Sequence, residues 1–270
     1  NNVDHICDTH SLEKNAFSKG QPDWGKELAD DLLRVIEKHG ADQIAAFITE
    51  PVAGSTGVLV PPKGYLERIR EICTEHNILL IFDEVITGFG RLGDPFSAQR
   101  FNVEPDLITC AKGLTSGTVP MGAVMVKKEI YDAFQQGDPK VIDLFHGYTY
   151  SAHPLASAAM IASLDVYLSD GLFKHASFLS SYWEDACHSL KGTDNVIDIR
   201  NLGLVAGIEM EPRDEKPGAR GYDVFTDAFH NHDLLIRITG DTIALSPPLI
   251  VEKEHIDIII ETLQTIIPNH

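Results

Sequence analysis

Ile78-Leu79-Leu80-Ile81-Phe82-Asp83-Glu84 is a five-residue apolar run closed by two acids. A run so short, apolar on both faces, reads as a strand inside a covered sheet. Working outward, Ile44 to Thr49 is a strand candidate of the same kind, ending at Glu50-Pro51. Asp106 to Cys110 and Gly122 to Val126 follow downstream. Helical patterns lie between. Trp24 to His39 places Leu28, Leu32, Val35 and Ile36 on one face, and Gly40 stops it. Pro61-Pro62 and Gly64 then punctuate before a stripe of Tyr65, Ile69, Ile72, Cys73 and His76. Strands alternating with helices predict an α/β fold, a mainly parallel sheet covered by helices. Ligands in such sheets lie beyond the carboxyl ends of the strands. That rule selects Glu50, Asp83 and Ala111-Lys112-Gly113 together, as polar groups that each follow a buried strand.

Beyond Ala152 a long, Ala-rich helix is predicted to about Leu168. Strands are predicted near Val196–Arg200, Val205–Met210, Leu234–Ile238 and Ile243–Leu245, with helices near Tyr222–His232 and from Glu252 to Ile267. This mixture predicts a smaller α+β C-terminal domain over residues 166–270, packed on the first, with 1–165 as the C-terminal part of a large domain. Glu211–Gly221, rich in charge, Pro and Gly, reads as a surface excursion. The sequence shows no internal repeat and no low-complexity tract.

With 270 residues, 43% of them apolar, the chain can bury a sizeable core. Its formal charge of −18 argues against nucleic acid or an anionic membrane as the main partner, because phosphates are repelled. Local backbone N–H groups can still hold an anionic cofactor. The four cysteines (Cys7, Cys73, Cys110, Cys187) are scattered without a CxxC pair, and a reduced, cytoplasmic setting is expected. No apolar run is of bilayer-spanning length and no leader is evident. The opening Asn1-Asn2-Val3-Asp4-His5 has no Met, so a fragment lacking its N-terminal part is expected.

Several motifs fail on context. Gly88-Phe89-Gly90-Arg91-Leu92-Gly93 matches G-x-G-x-x-G after a strand. Its acids precede the glycines, however, and Asp94-Pro95 follows where a helix should open. Leu79–Glu84 resembles the acidic strand end of a P-loop ATPase, but no G-x-x-x-x-G-K-[ST] loop accompanies it. His5, Asp8 and His10 have mixed spacing and read as surface polar residues rather than a metal cluster; His146 and His153 lack partners at ligand spacing, and no metal is expected. Gly54-Ser55-Thr56-Gly57 is not a nucleophile elbow.

Lys112 stands apart, because a lysine at the end of an apolar strand is an unusual place for a solvated charge. The spacing around it is informative. Asp83-Glu84-Val85-Ile86-Thr87-Gly88-Phe89-Gly90-Arg91 is followed, 29 positions after Asp83, by Lys112 in Ala-Lys-Gly-Leu-Thr-Ser-Gly. Ile48-Thr49-Glu50-Pro51-Val52-Ala53-Gly54 places Glu50 33 positions before Asp83. Together these resemble the class III, fold type I pyridoxal-phosphate-dependent aminotransferases. His146-Gly147-Tyr148-Thr149-Tyr150-Ser151-Ala152-His153-Pro154 and Asn15-Ala16-Phe17-Ser18-Lys19-Gly20-Gln21-Pro22 are similar to the ω-amino acid:pyruvate branch. The resemblance covers nearly the whole chain.

The resemblance implies the cofactor pyridoxal 5′-phosphate, an electron sink for a carbanion at the substrate carbon. It implies Lys112 as the lysine that carries the cofactor and then shuttles a proton, and Asp83 as the carboxylate that keeps the pyridine nitrogen protonated. Val85 would pack on the ring. Thr149 would donate to the phosphate of the other subunit, implying a homodimer or dimer of dimers with shared sites. Arg237 would grip a substrate carboxylate through its bidentate fork, and Glu50 would pair with Arg237 when the amine bears no nearby carboxylate. Ile86 departs from the glutamine common in the class. The family's N-terminal segment, with the glycine-rich turn and the stacking aromatic, is absent. The implied reaction moves an amino group from an ω-amino acid or amine, such as β-alanine, to pyruvate, giving alanine. An aminomutase or dialkylglycine decarboxylase of the same class, and a non-catalytic fragment, remain open alternatives.

Overall fold

A computed structural model describes residues 2–141, 144 and 146–270. The first sheet has the order β1-β2-β3-β4, built from Ala46–Thr49, Leu79–Asp83, Leu107–Cys110 and Ala123–Val126. β1, β2 and β3 run parallel and β4 is antiparallel, so the mainly parallel expectation holds with one reversed edge. Its helices are α1 (Leu12–Asn15), α2 (Gly25–Ala29), α3 (Asp31–His39), α4 (Tyr65–Glu75), α5 (Ser97–Phe101) and α6 (Lys128–Ala133). The helix predicted over Trp24–His39 is two helices meeting at Asp30, whose carboxylate takes a 2.7 Å bond from Arg68 of α4. Gly40 ends α3 at φ 83°, a backbone that glycine adopts without strain.

One expectation about this sheet needs correction. The run Leu79–Phe82 is apolar on both faces, but only Leu80 and Phe82 are buried, packed with Ile69, Ile72 and Cys73 of α4. Register places Ile48, Leu79, Ile81, Leu107, Val124 and Val126 together on the opposite face. There Ile48 is 59% and Val124 60% exposed, because nothing among the described residues covers them.

The second sheet, β5-β6-β8-β7, is antiparallel and uses Val196–Leu202, Val205–Met210, Thr242–Leu245 and Arg237–Thr239. It packs against α7 (Pro154–Ser169), α8 (Leu172–His188), α9 (Ala219–His232) and α10 (Lys253–Ile266). Helix α8 is absent from the sequence reading, although Leu172, Ala176, Leu179, Trp183 and Cys187 are buried at helical spacing. The division expected at 165/166 falls inside α7, and contacts cross it. Lys19 bridges to Asn201 of β5, and the Phe17 N–H donates to Asp198 at 2.6 Å. Asp198 is fully buried and pairs at 2.6 Å with Arg200, which also binds Glu209 and the carbonyls of Gly57 and Val58.

Candidate active site

Because β1, β2 and β3 are parallel and adjacent, their carboxyl ends lie side by side, strands being about 4.8 Å apart. Thr49 pairs with Phe82, and Asp83 with Thr109. Glu50 therefore leaves the sheet beside Asp83, and the chain from Thr109 reaches Lys112 immediately beyond. Strand alternation puts Asp83 on the same face as Leu79 and Ile81, the face left open.

The first turn after β2 fixes Asp83. The Val85 N–H donates to its Oδ1 at 3.1 Å, while among the described residues no donor reaches Oδ2. Glu84 points the other way and is buried. Its carboxylate accepts from the Ser97 and Ala98 N–H groups at 2.6 and 3.0 Å and from Thr87 Oγ1 at 3.2 Å, capping α5. Burial raises the Glu84 pKa against those bonds. Residues 85–95 make turns and no helix opens until Ser97, which removes the dinucleotide reading of Gly88–Gly93. Instead Arg91 donates to the carbonyls of Leu204 (3.1 Å) and Pro247 (2.5 Å), tying this loop to the second sheet. Burial lowers its pKa to about 10, so it stays charged at neutral pH.

Lys112 opens a 3-10 turn, Lys112–Thr115, with φ 45°, in the left-handed region that non-glycine residues rarely adopt. Its side chain is exposed. The lysines that do form ion pairs are Lys19, Lys38, Lys63, Lys127 and Lys128, which leaves Lys112 without a carboxylate among the described residues. Gly113 is required beside it, since a Cβ there would come within 2.9 Å of Phe89.

Glu50 is half-buried and its Oε2 accepts from the Gly54 N–H at 3.1 Å. Ile86 lies over Gly54, where a Cβ would meet it at 2.8 Å, so the Glu50 and Asp83 loops are packed together. Arg237 begins β7 and is exposed. Two residues on and on the same face of that strand, Thr239 Oγ1 donates to the Ser55 carbonyl at 2.9 Å, which turns this end of β7 toward the Glu50 loop. The structure does not pair Arg237 with Glu50: neither forms an ion pair among the described residues. Thr149 lies in an exposed turn after Tyr148 (φ 49°), with no described contact to Asp83 or Lys112. His10 donates its backbone N–H to Asp8 Oδ1 at 2.9 Å, but its ring turns away from His5 and Asp8. Its Nε2 lies 3.4 Å from Glu209, and the guanidinium of Arg200 already bridges Glu209 and Asp198.

An exposed amine and a carboxylate with an open oxygen, at neighbouring strand ends on an open sheet face, form a donor set suited to a cofactor bearing both a carbonyl and a basic ring nitrogen. Sequence comparison identifies the class. The family Aminotransferase class-III matches residues 7–267, and the chain belongs to that family, whose members use pyridoxal phosphate. It is 60% identical over 265 residues to an omega-aminotransferase of Caulobacter vibrioides, covering 98% of this chain and 60% of that one. It is 48% identical over 259 residues to a beta-alanine–pyruvate aminotransferase of Pseudomonas aeruginosa, covering 94% and 57%. The omega transaminase from Pseudomonas jessenii in complex with PMP superposes with a TM-score of 0.84 at 32% identity, covering 91% of this chain and 57% of that one. The fold is thus that of the transaminases, fold type I. The chain spans 47–60% of the length of these and other curated relatives it matches.

Proposed function

We propose that this chain is the lysine-bearing part of a pyridoxal-phosphate-dependent transaminase that moves an amino group from an ω-amino acid or amine, such as β-alanine, to pyruvate. The observation that carries this reading is that Lys112 and Asp83 lie at adjacent parallel strand ends, each with a polar atom that has no partner among the described residues. The names of relatives at 48–60% identity support the choice of donor and acceptor. When bound, the cofactor supplies an electron sink for charge that develops at the substrate carbon.

The chain's own residues do the rest. Asp83, held by the Val85 N–H, offers Oδ2 to a ring N–H and keeps that proton in place by charge. Val85 would pack against the ring. Lys112 would carry the cofactor, and its amine would move a proton to and from the reacting carbon, help typically worth about 10² to 10⁴ in rate. Arg237 takes the carboxylate of pyruvate, and Glu50 takes Arg237 when the amine brings no carboxylate. Thr149, on an exposed turn, reaches the phosphate of a second subunit, which makes the active unit a homodimer or a dimer of dimers.

Borohydride reduction of the full-length holoenzyme tests the anchor. Wild-type protein should absorb at roughly 400–430 nm and retain the cofactor after reduction, and Lys112→Ala should do neither. A donor screen scored with pyruvate and α-ketoglutarate should yield alanine rather than glutamate. Retention of reduced cofactor by Lys112→Ala removes the anchor, and glutamate as the favoured product removes the pyruvate assignment.

A further inference from the structure

Tyr167 of α7 reaches the Lys112 turn. Its ring is 7% exposed and stacks between Phe89, with centroids 6.1 Å apart, and Phe173, at 5.4 Å. Its hydroxyl donates to the Gly113 carbonyl at 2.6 Å and lies 2.9 Å from Ser116 Oγ. A phenol carries a single proton, and a carbonyl can only accept. Ser116 must therefore donate to the Tyr167 oxygen, giving a directed chain from Ser116 through Tyr167 to Gly113. This chain spans a turn whose two flanks, Lys112 (φ 45°) and Ser116 (φ 50°), are both left-handed. Such backbone persists only where its surroundings over-determine it.

The same side chain touches the other arm of the site. Phe89, itself left-handed at φ 60°, lies in the loop that leaves Asp83, and its side chain fills the space where a Cβ on Gly113 would sit. Tyr167 thus binds the Lys112 turn by its hydroxyl and the Asp83 loop by its ring.

We propose that Tyr167 is a positioning residue that sets the Lys112 turn against the Asp83 loop through its bonds to Gly113 and Ser116 and its stack on Phe89. This role rests on the reading of Lys112 as the cofactor lysine. Neither the amine nor the carboxylate is touched by Tyr167. Its removal therefore acts on geometry, where a displacement of about 1 Å can cost on the order of 10²-fold in rate.

The test uses full-length holoenzyme. Tyr167→Phe keeps the ring and deletes the proton. The pH midpoint at which the visible band of the bound cofactor changes should move, and kcat should fall about 10- to 100-fold with KM changed far less. Ser116→Ala, at an exposed position, should shift the midpoint in the same direction by a smaller amount. The double variant should be no worse than Tyr167→Phe alone, since the hydroxyls act as a unit. Tyr182→Phe, which removes a hydroxyl on α8 bonded to Asp257 of α10, away from the Lys112 turn, is the control and should leave midpoint and kcat unchanged. A Tyr167→Phe protein of lower Tm but wild-type midpoint and kcat overturns the proposal. Should that variant not fold, an unchanged midpoint in Ser116→Ala overturns it equally. If Lys112→Ala still retains the reduced cofactor, the anchor assignment has failed and the positioning role falls with it, a result separate from either of these.

Discussion

Lys112 holds a backbone conformation that costs a side-chain-bearing residue about 1–2 kcal/mol. Nothing about an exposed loop lysine requires that strain, whereas a residue that must present its amine at a set point beside Asp83 can require it. The strain is measurable once the amine is gone. Among cofactor-free variants, Lys112→Gly should be more stable than Lys112→Ala by about 1 kcal/mol, because only glycine occupies φ 45° freely. Denaturant titration of the two proteins side by side checks this, and equal midpoints and slopes would show that the turn stores no strain. Asp83 differs in kind: it is held by one amide and open at one oxygen, an acceptor with capacity to spare.

Among the elements, β2, β3, α4 and α10 were legible from periodicity and flanking punctuation, and the three strand-end residues followed from topology alone. The rest was hidden for physical reasons. Tyr167 could not be read because its partner is a backbone carbonyl 54 positions away. Arg200 has the same character, since what it neutralises comes from two strands and a loop. Helix α8 did leave a signal, the buried series from Leu172 to Cys187, interleaved with Ser, His and Asp that dilute it. One tie between elements carries a pH signature. Asp106 accepts from the Leu80 N–H of β2 at 2.7 Å and from Arg70 of α4 at 2.7 Å, with Lys127 at 3.2 Å. Burial alone would raise its pKa, but these donors outweigh burial and hold it below the ordinary value. A depressed carboxyl pKa adds stability above the unfolded value, about 3.9, and loses it as pH falls through the folded value. Asp106→Asn should therefore cost about 1–3 kcal/mol near neutrality, where bonds to a charged acceptor are lost. That deficit should shrink below about pH 4. Urea melts of both proteins from pH 3 to 7 check the trend, and a deficit independent of pH would mean the charge is not what matters.

For the whole molecule, the uncovered face of the first sheet dominates behaviour in water. Ile48, Leu79, Val124 and Val126 are exposed and, with the half-buried Leu107 of β3, form a contiguous apolar strip across all four strands, and β1 and β4 are both edges. Helix α7 adds Leu155, Ile161 and Leu168 to the exposed apolar surface. Exposed apolar area is unfavourable by about 25 cal/mol per Å², and open edges invite pairing with other chains. The 270-residue chain on its own should therefore bind a hydrophobic dye strongly and self-associate, and Val124→Lys with Val126→Glu should reduce both. Light scattering with a dye titration measures this. Weak dye binding by a monomeric wild-type chain would mean the face is closed in solution.

The threading of Phe17 and Lys19 into β5 has a consequence for the order of synthesis. A ribosome delivers Phe17 before Asp198, at about 5–20 residues per second. The Phe17 amide meets its Asp198 partner only after 181 further positions have been added. For those seconds the first sheet can assemble while the Phe17 amide lacks this acceptor, and Asp198 arrives afterwards to take it. The Phe17 segment is thus made well before it finds its place, and a nascent chain halted before Asp198 should leave that segment open to proteases while Leu80 and Phe82 are already protected.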